Sequence, residues 1–322
     1  MRLGIIGTNF ISDRLCEALA QVEGIEAYAV YSRRTDTGEA FAEKYGIGKV
    51  YCDLDEMLAD DRLDAVYVAS PTFCHAEQAI RAMRAGKHVL CEKMMAATLD
   101  EFYSMKECSE QTGMVLLEAM RPAHDPIYDV IRSYLPRLGK IRRATLEFCQ
   151  YSSRYDRFKN GILTNAFDPS LKNTALSDIG IYPLHVALSF FGKPLSVSGS
   201  SVFLENGFEG AGALTLTYQD MIAGVVYSKV SDSVNPSVIE GELGSLTINK
   251  ISAPTALTLY LRGEAPVEIP LTPAANNMIY ELAAFRDMVD GVREYHSYLE
   301  LTEQAQTVVD EIYRSVGIDK FF

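Results

Sequence analysis

Short apolar runs alternate with amphipathic stretches over the first 120 residues. Arg2–Gly7, Glu26–Ser32, Lys49–Cys52, Asp64–Ser70, Lys87–Lys93 and Met114–Ala119 are rich in Val, Ile, Leu and Tyr and read as strands. Between them, apolar residues recur at helical spacing over Ile11–Val22, Thr37–Tyr45, Leu54–Ala59, Ala76–Ala85 and Leu99–Gln111. Thr98 and Glu101 carry the spacing of a capping box, and Gly46, Gly86 and Gly113 fall where helices should stop. Regular strand–helix alternation predicts an α/β domain with a doubly wound parallel sheet over residues 1–120.

Beyond residue 120 the texture changes. A helix over Asp125–Tyr134 leads to a strand over Ile141–Tyr151, then to a polar and aromatic loop region reaching Ser177, then to a helix over Ile179–Phe190. Ala213–Tyr218, Ile222–Lys229, Ser245–Asn249 and Ala256–Arg262 alternate without intervening helices, with Asn206-Gly207 as a turn between runs. Two amphipathic helices follow, near Met278–Asp290 and Leu299–Ser315. Residues 121–322 therefore read as a second α/β domain on an open, mostly antiparallel sheet.

Composition narrows the partners. With 48% hydrophobic and 23% charged residues the chain can bury sizeable cores. A formal net charge of −13 disfavours nucleic acid and anionic membrane surfaces, so an anionic ligand needs a local positive site. We expect no signal peptide and no membrane-spanning run. Cys16, Cys52, Cys74, Cys91, Cys108 and Cys149 are scattered without a Cys-x-x-Cys pair, which suits reduced thiols and a cytoplasmic protein, and no cluster has metal-ligand spacing.

The stretch GIIGTNFISDRLCEAL opens the first strand–turn–helix unit. A dinucleotide-binding turn uses three glycines, for the tight bend, for close approach to the pyrophosphate and for helix–strand packing. Gly7 holds the first place, while Asn9 and Ser12 take the other two. Asn tolerates left-handed backbone and Ser is small, so Gly7, Thr8, Asn9, Phe10 and Ile11 remain a candidate anion cradle, with the amides of Phe10 to Ser12 as donors. An ordinary strand–turn–helix connection is the competing reading. At the end of the second strand, Ser32, Arg33 and Arg34 stand where an acid would bind a ribose hydroxyl. Arginines there favour the 2′-phosphate of NADP, with NAD as the alternative because Asp36 follows closely.

Three further stretches complete the pattern: ASPTFCH (Ala69–His75), AGKHVLCEK (Ala85–Lys93) and LSDIGIYPLH (Leu176–His185). With GIIGT they resemble the glucose–fructose oxidoreductase, inositol dehydrogenase and related Gfo/Idh/MocA family. The resemblance implies an N-terminal Rossmann domain, a C-terminal domain that carries oligomer contacts, and NAD or NADP oxidation or reduction of a sugar, polyol or dihydrodiol. It places Ser70, Pro71, Thr72, His75, Glu92 and Lys93 about the cofactor. It carries the family's lysine onto Lys93 and its second-domain acid and phenol onto Asp178 and Tyr182. A homodimer or larger homo-oligomer follows from the same resemblance.

The chemistry of these residues agrees. A carbon that gives up hydride must also lose a hydroxyl proton. Asp178, Tyr182 and His185 stand at 0, +4 and +7, one face of a helix. Either Tyr182 passes the proton beside a charged Lys93, or Lys93 is itself the acid or base, Tyr182 orients the substrate, and Asp178 keeps Lys93 charged or holds a sugar hydroxyl. Asn173 and His185 are further substrate candidates. Structural roles compete: Asp178 as a helix N-cap, Lys93 as a surface lysine, His75 as a helix start, Glu92 as an orienting group.

The family's proline after the lysine is Met94 here, which leads us to expect a trans peptide. Asn173-Thr174 replace a frequent Gly-Gly, and Arg154, Arg157, Lys159 and Lys172 offer a carboxylate or phosphate ligand that would oppose a neutral substrate. These departures keep a second reading open, a catalytically inactive nucleotide-sensing or regulatory protein of the same fold.

Overall fold

A computed structural model describes residues 1–318 of the chain and divides into two compact units. The first comprises Met1–His124 and Ala275–Thr302; the second comprises Asp125–Ala274 and the chain from Glu303 onward.

The first unit is built on six parallel strands: β1 (Arg2–Ile6), β2 (Glu26–Tyr31), β3 (Lys49–Tyr51), β4 (Ala65–Val68), β5 (His88–Glu92) and β6 (Leu116–Ala119). Their order is β3-β2-β1-β4-β5-β6, so the direction of winding reverses between β1 and β4. Ligands of such sheets sit at the carboxyl ends beside that reversal. The strands are flanked by α1 (Phe10–Leu19), α2 (Thr35–Tyr45), α3 (Leu54–Leu58), α4 (His75–Arg84) and α5 (Leu99–Thr112). Thr98 and Glu101 form the capping box read from the sequence. β4 is shorter than its apolar run. The Asp64 carboxylate accepts the Arg2 amide at 2.6 Å, and Ser70 leads into Pro71, which has no amide for the ladder.

The second unit contains α6 (Ile127–Tyr134), β7 (Ile141–Cys149), α7 (Tyr155–Lys159) and α8 (Ile181–Phe191), followed by β8 (Ser196–Phe203), β9 (Glu209–Thr217) and β10 (Ile222–Ser228). β11 (Ser237–Gly241), β12 (Gly244–Ile248), β13 (Ala256–Leu261) and β14 (Val267–Pro270) complete an eight-stranded sheet of order β14-β13-β12-β11-β7-β10-β9-β8. Only β7 and β10 pair in parallel. β8, β11 and β14 are not apparent in the sequence. β8 reads SVSGSSVF, an edge strand without a buried apolar stripe, and the other two are only five and four residues long. Asn206-Gly207 makes the β8–β9 turn, with Gly207 at φ 84°.

One face of this sheet is buried, through Leu214, Val225, Leu146, Ile239 and Leu246. On the other, Ser198, Thr215, Gly224, Thr145, Val238, Thr247 and Thr258 form one register row, none of them buried. Two helices follow the sheet, α9 (Met278–Val289) in the first unit and α10 (His296–Val316), which the unit boundary divides after Thr302. α9 packs on α1. No helix among the described residues is long and apolar enough to cross a membrane.

Candidate functional site

The turn after β1 shows what replaces the two glycines. Gly7 has φ 106°, and a Cβ there would stand 2.9 Å from the Ala69 carbonyl oxygen, so only glycine fits. Asn9 caps α1: its Oδ1 accepts the amides of Ile11 at 3.0 Å and Ser12 at 3.3 Å, and its Nδ2 donates to Ala69 O at 2.6 Å. Ser12 Oγ donates back to Gly7 O at 2.8 Å. Asn9 and Ser12 thus hold the turn by hydrogen bonds. The amides of Ile11 and Ser12, read from the sequence as anion donors, are already taken. Those of Thr8, Asn9 and Phe10 donate to no partner among the described residues and leave the cradle open to an anion.

At the end of β2, Ser32 is buried and its hydroxyl accepts the Arg34 amide at 3.3 Å. Arg34 forks onto Asp36 and holds that carboxyl down to about 2. Asp36 is therefore committed to Arg34. Arg33 is exposed, makes no ion pair among the described residues, and lies close enough to the Cys74 thiol to oppose the upward push that burial gives it. It is the cation left for an anionic group at this edge.

The loops after β4 and β5 are tied to each other. His75, 1% exposed at the start of α4, stands with Nε2 2.9 Å from Ser70 O and Nδ1 3.0 Å from Met94 O; burial pulls its pKa down, and the neutral ring donates to one of the two carbonyls. His75 is therefore a helix start that also clamps both loops. Ser70 Oγ donates to Gln78 at 2.6 Å, while Pro71 and Thr72 continue the loop. The Lys93–Met94 peptide is cis, not trans as the residue type led us to expect. Contacts on both sides of it, His75 with Met94 O and the Met95 amide with Glu118 at 3.0 Å, let the surroundings rather than the residue type choose the isomer. Lys93 is half-buried, and its amide donates to Glu92 Oε2 at 3.2 Å. Glu92 is buried, accepts the Tyr67 hydroxyl, and has its pKa raised by burial. Gly7, Asn9, Ser32, Arg33, Ser70, Thr72, Glu92 and Lys93 thus share one edge of one sheet, the carboxyl edge beside the β1/β4 reversal.

Sequence reasoning missed a second buried acid here. Glu281 on α9 is 0% exposed, and its carboxyl oxygens meet no hydrogen-bond partner among the described residues. Burial, and then the Glu92 carboxylate, push its pKa well up, against the pull of Arg121 and Arg14.

In the second unit, Asp178 lies inside a π-helical turn, Leu176–Gly180, that runs into α8. It is not an N-cap; its amide donates to Thr174 O at 3.1 Å. The turn is drawn tightly onto β10, where a Cβ on Gly180 would stand 2.7 Å from the Tyr227 ring. Such turns are frequent at functional sites. Two devices hold its start. Glu209, 1% exposed with its pKa pushed up to about 7 by burial, accepts the Leu176 amide at 3.0 Å. The Thr174 hydroxyl lies 2.7 Å from the Tyr313 hydroxyl and accepts the Ser177 amide at 2.9 Å.

Asp178 Oδ2 pairs with Lys229 Nζ at 2.8 Å. Sequence reasoning misses Lys229, although Ala223, Val225 and Tyr227 fall on the buried parity of β10 and Lys229 continues it. Tyr182 is 7% exposed and packs edge-on to Phe148, centroids 5.8 Å apart, and His185 is buried. Asn173 Nδ2 donates to Asn165 O at 3.0 Å. Of the basic loop residues, Lys159 pairs with Asp156, while Arg154 and Arg157 are exposed. Among the described residues no group of three or more His, Cys, Asp or Glu is placed to hold a metal ion.

Comparison with known proteins adds an independent line. The profile of the GFO/IDH/MocA oxidoreductase family, NAD-binding Rossmann fold, matches residues 1–120, and that of the GFO/IDH/MocA C-terminal domain matches residues 136–247. The scyllo-inositol 2-dehydrogenase (NADP(+)) IolU of Bacillus subtilis is 36% identical over 320 residues, covering 99% of this chain and 98% of its own. The trans-1,2-dihydrobenzene-1,2-diol dehydrogenase of Mus musculus is 27% identical over 266 residues, 80% of this chain and 78% of its own. The crystal structure of KijD10, a 3-ketoreductase from Actinomadura kijaniata in complex with NADP and TDP-benzene, shares the fold with a TM-score of 0.87 across 98% of both chains at 24% identity.

Proposed function

This chain belongs to the GFO/IDH/MocA family of oxidoreductases, and we propose that it transfers hydride between NADP(H) and the hydroxyl or carbonyl carbon of a sugar, polyol or dihydrodiol. The observation that carries this reading is end-to-end likeness, at 36% identity, to an NADP(+)-dependent polyol dehydrogenase. The residues of the first unit fit the cofactor. A cradle that admits no Cβ at Gly7, open amides at Thr8, Asn9 and Phe10, and an unpaired cation at Arg33 suit a pyrophosphate and a 2′-phosphate. The relatives compared above are named for dehydrogenase and reductase activities, and none favours the nucleotide-sensing alternative.

When bound, the cofactor supplies the hydride acceptor or donor. The chain's own residues handle everything else. Lys93 and Tyr182 serve the proton that leaves or returns at the reacting oxygen, and Asp178 receives a substrate hydroxyl. Asn173 and His185 complete the substrate group. Gly7, Thr8, Asn9, Phe10, Ile11, Ser32, Arg33, Arg34, Ser70, Pro71, Thr72, His75 and Glu92 form or support the cofactor site.

The test is nicotinamide absorbance with NADP(+) and a panel of inositols, aldoses and dihydrodiols. Turnover of at least one member is expected, falling on the order of a hundredfold or more in Lys93→Met and in Tyr182→Phe. Tight NADPH binding with no turnover of any member, in either direction, would overturn the enzymatic reading.

We further infer a homodimer or larger homo-oligomer in the cytoplasm. The unburied row of Thr, Ser, Val and Gly across the second sheet offers a flat surface for a second copy, and six unpaired cysteines suit a reducing compartment. Light scattering that returned a monomer mass would overturn the assembly.

A further inference from the structure

Lys229 is the cation that the proposed chemistry leaves unused. Its side chain is 5% exposed, whereas that of its partner Asp178 is 42% exposed. The ammonium lies 5.0 Å from the centre of the Phe167 ring and 5.2 Å from that of Phe208. It donates to Ala166 O at 2.8 Å and to Asp178 Oδ2 at 2.8 Å. An amine so desolvated needs a matched anion, and the carboxylate it meets is Asp178. Three pieces of chain converge on it: the end of β10, the turn Asn165–Phe167, and the π-helical turn. That turn is fixed in its own right, since Asn206 Nδ2 donates to Phe167 O at 2.8 Å.

The pair is asymmetric. Its amine is committed to carbonyl, carboxylate and aromatic faces inside the unit, and its acid keeps an edge open to solvent. A carboxylate held from behind in this way presents a charged acceptor at fixed orientation, ready for hydroxyl donors. We infer that Lys229 is a positioning residue that holds Asp178 ionised and oriented to accept a hydrogen bond from a substrate hydroxyl. This rests on the reading of Asp178 as a substrate-binding group.

The test compares Lys229→Met, Lys229→Arg, Asp178→Asn and the paired variant Lys229→Met/Asp178→Asn. With Lys229→Met, KM for the polyol rises about tenfold or more, as loss of a charge-assisted hydrogen bond implies. The acid limb of the kcat/KM profile moves to higher pH, and NADPH affinity is unchanged. Lys229→Arg restores much of both readings by keeping the charge. The paired variant is no worse than Asp178→Asn alone, because Lys229 acts through Asp178. A folded Lys229→Met with wild-type KM and pH profile would overturn the inference, and so would full additivity of the two substitutions.

If Lys229→Met alone fails to fold, the paired variant, which leaves no charge unmatched, is expected to fold; equal instability of both would refute the pairing. If no panel substrate is turned over, the functional reading fails separately. NMR titration of labelled aspartate still decides the pairing, with the Asp178 carboxyl titrating at higher pH once the amine is gone.

Discussion

At the scale of single residues, the nucleotide turn shows how side chains replace backbone freedom. Only Gly7 has to be glycine, because a Cβ would meet Ala69 O at 2.9 Å. The other two fingerprint positions are served by an amide and a hydroxyl that bond the turn together. Of the neighbouring arginines, Arg34 is taken by Asp36, and Arg33 is the one proposed to meet the 2′-phosphate. Arg33→Ala should therefore weaken NADPH about tenfold or more and leave NADH nearly unchanged, a charge-assisted phosphate contact being lost from one ligand only. Fluorescence titration with both nucleotides checks this, and equal losses would end the 2′-phosphate assignment. The positions of Gly7, Arg33 and Lys93 were legible because each sits at the end of an apolar run. Glu281 and Glu209 were not. A buried carboxyl depends on which distant segments surround it, and neither spacing nor neighbours in the chain encode that. Lys229 was half-legible, by parity along β10 alone.

At the scale of elements, the turn that carries Asp178 is more constrained than a capped helix start. Pattern reading placed a helix at this point correctly but could not foresee its π-helical opening, which follows from close approach of Gly180 to Tyr227. Its first amide is held by Glu209, whose carboxyl is raised from 4.5 to about 7 by burial. The native state therefore binds this proton more tightly than the unfolded chain. Stability from this group is whole below pH 4.5 and falls as pH rises toward about 7, by on the order of 3 kcal/mol in all. Glu209→Gln keeps an acceptor for Leu176 and removes the titration. Denaturation at about pH 5 and about pH 8 should show a larger loss for wild type than for Glu209→Gln. Equal losses would show that Glu209 does not titrate in this window. The three unforeseen strands have two causes: β8 is an edge strand with no buried apolar stripe, and β11 and β14 are too short to show alternation.

At the scale of the whole molecule, the chain is acidic overall, at −13, yet is proposed to take a polyanionic cofactor. The local cation Arg33 and the amides of the first turn must do this against the global field. The two-part architecture was legible from the change in texture near residue 120, but the return of α9 to the first unit was not, since nothing in an amphipathic helix names its docking partner. Met278, Leu282, Phe285 and Met288 of α9 are at most 3% exposed within the same core as Leu15, Leu19 and Ile25. Each contributes about 1.5–3 kcal/mol on burial, so together they rival the net stability of a typical domain. A fragment of residues 1–124 should consequently bind a hydrophobic dye and precipitate, and joining residues 275–302 to it should restore solubility. A freely soluble, cooperatively melting 1–124 fragment would refute that. The same dependence sets a timetable for biosynthesis. A ribosome must translate residues 125–274 of the second unit before the first can close its core, so the nascent first unit waits, exposed to chaperones, until α9 emerges.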